Sequence, residues 1–209
     1  MSYARFGSPV EHSHCFEALE RAVAQARKAV RAWLLVDGST GANRVAMRVV
    51  AARGRDASVL LAPNAHHSVM HAAMVCGVNV RFLPAAVVSG FDAILPPTPP
   101  QVQAALAAHP GTTAVVITSP SYEGIVAAVS GIAGVVRRHG ALLVVDAAWG
   151  AHFGYHPRLP AATAETGADL VVESLHKCGG APHAASTTSN APCRRTTPAM
   201  PETSATIPS

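Results

Sequence analysis

The sequence predicts an α/β fold in which helices cover both faces of a mostly parallel sheet, giving three layers. Apolar, β-branched segments alternate with segments of helical periodicity, which is typical of βαβ units. Of the 209 residues, 49% are hydrophobic and only 13% are charged, as suits strands buried on both faces. Two apolar segments, 141–146 and 168–174, end in polar side chains, and open α/β sheets bind ligands at the ends of such strands.

The elements follow from these patterns in order. The first helix is expected from residue 15 toward residue 33, because apolar residues recur at helical spacing and charged residues lie off that face. Six strands are predicted: 33–37, 58–62, 79–83, 112–118, 141–146 and 168–174. Further helices are predicted to end near residues 53, 76, 108 and 139. Between 84 and 100 two Pro-Pro pairs break any helix, so this segment is predicted to be a linker.

The two ends of the chain lack such patterns. Residues 1–14 have no clear period and are expected to form an irregular N-terminus. Over 178–209 Gly, Ala, Ser, Thr and Pro dominate without an apolar period. That composition is typical of disorder, so neither a helix nor a strand is predicted there. Residues 15–177 remain as one α/β domain.

The composition argues against several kinds of function. The net charge is +4, but the basic residues are scattered and aromatic residues are scarce, so a nucleic-acid surface is not favoured. The four cysteines show no CxxC spacing, which indicates neither a zinc site nor a disulfide framework, and no metal is predicted. We recognise no signal peptide and no apolar segment long enough to span a membrane. A cytoplasmic protein with no membrane or nucleic-acid partner is expected.

Polar side chains at the ends of two predicted strands indicate a cofactor. The fifth strand ends in Asp146 and the sixth in Ser174, and His176 and Lys177 follow directly. A lysine that can form a Schiff base and an acid that can pair with a pyridinium nitrogen are the minimum for pyridoxal phosphate chemistry. Burial is expected to favour the neutral amine of Lys177, the form that attacks an aldehyde.

Three more features are expected at the same edge of the sheet. The turn at 38–43 joins a strand to a helix, so its N–H groups and hydroxyls could hold a phosphate. An ordinary turn with Ser39 or Thr40 as N-cap explains it equally well. The ring of His66 could stack on a planar cofactor, although an exposed histidine at a helix start is commoner. Ala148 is small enough to let a flat ring lie against the backbone.

Five short motifs occur in the same order in a known family. They are GSTGAN at 38–43, AHHS at 65–68, TSPSYEG at 118–124, DAAWGAHF at 146–153 and SLHK at 174–177. Together they resemble the major domain of the Orn/Lys/Arg decarboxylases, which are pyridoxal phosphate enzymes with the aspartate aminotransferase fold (fold type I). Each motif alone is weak, but five in register indicate homology over 15–177, which would be a partial cofactor-binding major domain.

The resemblance implies a role for each candidate residue. Lys177 would hold pyridoxal phosphate as a Schiff base, and Asp146 would keep the pyridinium nitrogen protonated. His66 would stack on one face of the ring, Ala148 would lie beneath the other, and His176 would lie near the reacting carbon. The resemblance also implies a phosphate site formed by Ser39, Thr40, Gly41 and Ser174.

The sequence departs from the family after the lysine. The family usually continues with Thr-Leu and a strand that pairs between the first and sixth strands, whereas Cys-Gly-Gly follows here at 178–180. We therefore expect that strand to be absent, and the strand at 33–37 to lack a neighbour. The family's C-terminal domain and N-terminal segment are not recognised either, so a truncated or frame-shifted product is expected. Because family active sites are completed across a homodimer interface, we expect this short chain to dimerise poorly.

The resemblance implies decarboxylation of a small-molecule substrate, a basic amino acid: lysine, arginine or ornithine. Two alternatives remain open. The chain could be a non-catalytic remnant of such an enzyme. It could also carry out another fold type I reaction, transamination or an aldolase-like cleavage, because these share the same lysine and acid.

Overall fold

A computed structural model describes residues 11, 13, 15–91, 93–180 and 185–189. The predicted irregular N-terminus lies outside these residues except for Glu11 and Ser13. The predicted disordered tail also lies largely outside them, because only 178–180 and 185–189 of that segment are described.

The described residues form six α-helices and nine strands. The helices are α1 (Cys15–Ala26), α2 (Gly38–Ala51), α3 (His67–Val75), α4 (Pro99–Ala108), α5 (Val129–Arg138) and α6 (Leu175–Cys178). The strands are β1 (Arg31–Leu35), β2 (Ser58–Leu61), β3 (Asn79–Phe82), β4 (Ala86–Val88), β5 (Ala93–Leu95), β6 (Ala114–Thr118), β7 (Leu142–Ala147), β8 (Leu170–Ser174) and β9 (Ala185–Ser189). A short 3₁₀ helix, Thr163–Thr166, precedes β8.

Seven strands form one sheet in the order β1-β9-β8-β7-β6-β2-β3. The pairs from β8 to β3 are all parallel, and β9 is antiparallel to both of its neighbours. β1 therefore runs in the same direction as β8. The predicted mostly parallel α/β sheet is confirmed.

Buried apolar side chains form two cores, one on each face of the sheet. The core on the α2 face, under α2 and α3, includes Met47. The core on the α5 face, under α4 and α5, includes Ile132. Because side chains alternate along a strand, β7 gives Val144 to the first core and Leu143 and Val145 to the second. The predicted three layers are therefore present.

The prediction of a linker over residues 84–100 was wrong. The expected linker at 84–100 contains the antiparallel pair β4 and β5, and its last two residues begin α4 rather than precede it. Proline fits the first turn of a helix, where an N–H has no partner inside the helix, and the Thr98 N–H donates to Gln101 Oε1 at 2.8 Å to close the start.

The strand that we expected to be absent after Lys177 is present as β9. It pairs with β1 through Trp33↔Thr187 and with β8 through Val172↔Thr187, so β1 has its neighbour. The sequence Ala-Ser-Thr-Thr-Ser carries no apolar signal. The gap between β1 and β8 offers hydrogen-bonding groups on both sides, and backbone pairing there needs no particular side chain.

Within the described residues, no helix has both the length and the apolar character needed to cross a membrane. A cytoplasmic location stays a prediction.

Candidate functional site

The sheet brings the candidate residues to one edge. Asp146 lies in β7, Ser174 ends β8, and His176 and Lys177 follow in α6. The turn after β2 leads to His66, and α2 begins shortly after β1. Since these strands run in one direction, their carboxyl ends meet at the same edge, where open α/β sheets bind ligands.

Asp146 is only 2% exposed, yet both of its carboxylate oxygens accept hydrogen bonds. The Asn43 side chain donates to Oδ2 at 3.1 Å, and the Ala148 N–H donates to Oδ1 at 3.1 Å. Burial raises the pKa of Asp146, while these two bonds and the charges of His66 and Lys177 oppose that shift. The carboxylate is thus held in a fixed orientation, ready to accept from a cationic N–H group.

Asn43 was missed by the sequence analysis. It lies in α2, is buried, and also donates to Ser68 Oγ at 3.0 Å. Nothing in a single polar residue on a helix signals such a role, because the contact depends on how α2 packs over β7.

His66 is the N-cap of α3 and continues the same polar network. Its Nδ1 accepts from the Ser68 N–H at 3.2 Å and lies 2.8 Å from Ser68 Oγ. Burial and the neighbouring His67 lower the pKa of His66, Asp146 raises it, and Lys177 lowers it further. Since Nδ1 accepts from the backbone, the neutral ring carries its proton on Nε2. The residue is nevertheless exposed, which leaves the ring accessible.

Lys177 does not lie where we expected. Its side chain is exposed rather than buried, and Nζ lies 4.3 Å from the centroid of the Trp149 ring. A cation over an aromatic face is attracted to the ring electrons, so Trp149 holds the amine at the mouth of the site. Trp149 in turn contacts the edge of Tyr122, with ring centroids 5.8 Å apart.

Ser174 and His176 lie next to each other at the end of β8. Ser174 is fully buried, and its Oγ lies 3.2 Å from His176 Nδ1. The pair joins the lysine segment to the end of the strand.

The predicted turn at 38–43 is the first turn of α2. Gly38 begins the helix with φ of 73°, and Asp37 rather than Ser39 or Thr40 is the N-cap. The first N–H groups of a helix have no partner within it and favour anions. A Cβ on Gly41 would overlap the Asp37 carboxylate, so this carboxylate covers the start of the helix.

A buried ion pair, also missed from the sequence, supports the opposite face of the site. Arg27 of α1 is 3% exposed and Glu173 of β8 is 1% exposed, with Arg27 Nε donating to Oε2 at 2.9 Å. Arg27 also donates to the carbonyl oxygens of Phe153 at 2.7 Å and Gly150 at 3.4 Å. The pair therefore fixes the segment after β7 that contains Ala148. The acid within the apolar sequence of β8 was the available signal.

Two cavities lie beside Lys177, and Cys178 and His152 line both. One, of about 350 Å³, is also lined by Trp149 and Tyr122. The other, of about 390 Å³, is also lined by Arg27. Trp149, whose ring contacts the Lys177 amine, thus also lines the first cavity.

The residues present fit a phosphorylated pyridine aldehyde. The buried carboxylate of Asp146 would accept from a ring nitrogen, the exposed ring of His66 would be accessible for stacking, and Lys177 would supply the amine. Among the described residues, no atom hydrogen-bonds the buried hydroxyl of Thr118 beside Asp146. A polar ligand would satisfy it.

Comparisons with known proteins identify the family of this chain. The family described as Orn/Lys/Arg decarboxylase, major domain, matches residues 1–195. An arginine decarboxylase from Halalkalibacterium halodurans is 29% identical over 169 residues, which are 81% of this chain and 34% of that protein. An arginine decarboxylase from Bacillus subtilis is 27% identical over 157 residues, 75% of this chain and 32% of that protein.

Solved structures show the same fold. A sphingosine-1-phosphate lyase from Burkholderia pseudomallei is similar with a TM-score of 0.67 and 17% identity, over 83% of this chain and 44% of that one. The chain spans about a third of the length of the curated relatives it matches. The family match extends past Lys177 and includes β9. Matched over nearly its whole length, the chain belongs to the Orn/Lys/Arg decarboxylase family and corresponds to its major domain.

Proposed function

We propose that this chain binds pyridoxal phosphate, the cofactor of its family, and carries the site for decarboxylation of a basic amino acid. One observation supports the proposal most directly. Asp146 is almost fully buried at a strand end, receives two hydrogen bonds, and lies within electrostatic range of Lys177 and His66. Maintaining a carboxylate in a buried position costs free energy, which a cationic ring nitrogen would offset.

The residues around the proposed cofactor have different roles. Lys177 supplies the amine to which the cofactor is attached, and Trp149 orients that amine. Asp146, oriented by Asn43 and the Ala148 N–H, keeps a proton on the ring nitrogen. When bound, pyridoxal phosphate supplies an electron sink for the pair left behind when CO₂ departs. His176, next to the lysine, is placed to hold or move a proton at the reacting carbon.

The phosphate site combines backbone and side-chain donors. Its residues are Ser39, Thr40, Gly41 and Ser174. The first three lie in the first turn of α2, where N–H groups and the helix dipole favour an anion. His66 and Ala148 bound the two faces of the ring. Because Asp37 also covers the start of α2, phosphate binding would require its carboxylate to move aside.

The substrate is proposed to be arginine, lysine or ornithine, with arginine tested first because both compared relatives bear the name arginine decarboxylase. Product analysis separates decarboxylation from the related reactions. Release of CO₂ with formation of a diamine or agmatine supports decarboxylation. A keto acid as product would instead assign transamination. Aldol cleavage would be assigned if a β-hydroxy amino acid such as threonine, supplied as the substrate, were split into glycine and an aldehyde.

The cofactor is tested by covalent trapping on the whole chain. The protein is incubated with pyridoxal phosphate, reduced with borohydride, digested and mapped by mass spectrometry. We expect the phosphopyridoxyl group on Lys177, its loss in Lys177→Ala, and its retention in Lys28→Ala, which removes another exposed lysine. Labelling of Lys28, the chain's only other lysine, to the same extent as Lys177, or no label at all, would contradict the proposal.

A second candidate function, a non-catalytic remnant, is favoured by the exposure of Lys177, because a solvated ammonium is a poor nucleophile. Thermal melting with and without pyridoxal phosphate separates the two. A melting temperature raised by the cofactor, and not raised in Asp146→Ala, supports the enzyme. No shift supports the remnant.

A further inference from the structure

Thr118 lies beside Asp146 and faces the same way. It is the last residue of β6, and the register pairs it with Asp146 of the neighbouring parallel strand. Paired residues of adjacent strands point to the same face. Two residues earlier, the paired Val116 and Val144 both belong to the core on the α2 face. Thr118 and Asp146 therefore share that face, toward Asn43.

The hydroxyl of Thr118 is buried without a partner. Thr118 is 9% exposed, and its Oγ1 forms no hydrogen bond within the part of the chain that the structure describes. The adjacent Ser119 is satisfied, because its Oγ accepts from the Ala127 N–H at 3.0 Å. A buried hydroxyl without a partner is costly in free energy, so the position calls for a bound group.

A second unsatisfied group lies on the other side of β6. Asn64 is in the turn that follows β2, the strand paired with β6. Neither atom of its buried side-chain amide finds a partner among the described residues. Two buried polar side chains without a partner among the described residues thus lie at the end of β6 and in the turn after β2.

The order of strands indicates which part of a ligand faces Thr118. The proposed phosphate residues follow β1 and end β8, which lie on one side of β7, whereas β6 lies on the other. In pyridoxal phosphate, the arm with the phosphate and the ring hydroxyl flank the aldehyde on opposite sides of the axis through the ring nitrogen. With the nitrogen at Asp146 and the phosphate toward β8, the ring hydroxyl is on the side of β6.

We propose that Thr118 is a cofactor-binding residue whose hydroxyl hydrogen-bonds the ring hydroxyl oxygen of pyridoxal phosphate. The inference rests on the proposed cofactor site and assigns it one further side chain. The side chain that β6 provides would hold the edge of the ring opposite the phosphate arm.

The matched variants are Thr118→Val, which keeps the shape and removes the hydroxyl, and Thr118→Ser, which keeps the hydroxyl. Cofactor affinity is measured by fluorescence titration of the whole chain, and the unliganded proteins are compared by thermal melting. We expect Thr118→Val to weaken binding about fivefold, the equivalent of one net hydrogen bond, and Thr118→Ser to bind like the wild type. Unliganded Thr118→Val should melt no lower than the wild type, since it loses only an unpaired hydroxyl.

The same titration with the 3-deoxy analogue of pyridoxal phosphate identifies the contacted atom. Wild type and Thr118→Val should bind this analogue equally, because the hydrogen bond is missing in both. Equal affinity of the two proteins for pyridoxal phosphate itself, or the same loss with both ligands, overturns the assignment of Thr118 and leaves the cofactor site standing. A wild type that binds neither ligand overturns both.

Discussion

Strands β7 and β9 are both interior strands of one sheet, but different interactions hold them there. All six residues of β7 are buried, and all except Asp146 are apolar. In β9, Thr187 and Thr188 are each 1% exposed, and neither hydroxyl has a hydrogen-bond partner among the described residues. Side chains therefore place β7, whereas backbone pairing with β1 and β8 places β9.

The difference matters because the site lies on the strands that side chains place. β7 and β8 carry Asp146 and the segment leading to Lys177, and both bury apolar side chains in the two cores. β9 satisfies the backbone of β8 on its other side, at the cost of two buried hydroxyls. The free energy of unfolding should therefore fall strongly on substitutions in β8 and less on substitutions in β9.

The largest effect is expected from Glu173→Ala in β8. It leaves the Arg27 guanidinium buried without its partner, and breaking such a pair costs about 3–5 kcal/mol. Urea unfolding of the unliganded chain measures the loss. The double variant Arg27→Met with Glu173→Leu should recover most of the stability, because an apolar pair leaves no buried charge. A double variant as unstable as the single one would show that the pair also contributes through its bonds to Gly150 and Phe153.

A smaller effect is expected from Thr187→Pro in β9. Proline removes a ladder N–H and leaves an acceptor of a neighbouring strand unpaired, which costs about 1–3 kcal/mol. Phe82→Pro in β3 is the matched control. The N–H groups of Asn79 and Leu83 donate to β2 and its flank, so by alternation that of Phe82 points away at the sheet edge. If the two variants lose the same free energy of unfolding, the backbone hydrogen bonds of β9 do not contribute to stability.

The sequence predicted β7 and β8 but not β9, because buried side chains hold the first two strands and backbone pairing holds the third. Apolar, β-branched segments that end in Asp146 or Ser174 predict buried strands. A strand held by backbone pairing has no such pattern in its side chains. Asn43 could not be predicted, since its bond to Asp146 spans 103 positions and depends on the packing of α2. The exposure of Lys177 was unpredictable likewise, because it depends on the contact with Trp149.

Asp146, the polar residue of β7, should give the unliganded chain a pH-dependent stability. Burial raises its pKa from the usual 3.8, so the folded chain holds the proton at pH values where the unfolded chain has lost it. The contribution of this proton to the stability of the folded chain is fully present below pH 3.8. It is lost as the pH rises through the pKa of Asp146 in the folded chain. Melting temperatures across this range should fall less steeply with pH in Asp146→Asn. Some slope remains, because burial also raises the pKa of Glu173.

The control for this pH series is Glu17→Gln, which removes an exposed carboxylate of α1. Because the ion pair that it breaks with Arg21 is exposed, it should change the melting temperatures only slightly. A curve for Asp146→Asn that coincides with the wild type would mean that the hydrogen bonds from Asn43 and Ala148 cancel the effect of burial completely.

The smallest effect is expected from Thr187→Val, which tests one hydroxyl of β9 directly. Thr187→Val replaces an unpaired hydroxyl with a methyl group in a buried strand, which should raise the free energy of unfolding by about 1 kcal/mol. Val172→Thr in β8 is the reverse change at the residue paired with Thr187, and it should lower the free energy by about 1–3 kcal/mol. Urea midpoints of the two variants measure both values. If Thr187→Val destabilises the chain instead, its hydroxyl has a partner in the folded protein, and side chains help to place β9 as they place β7.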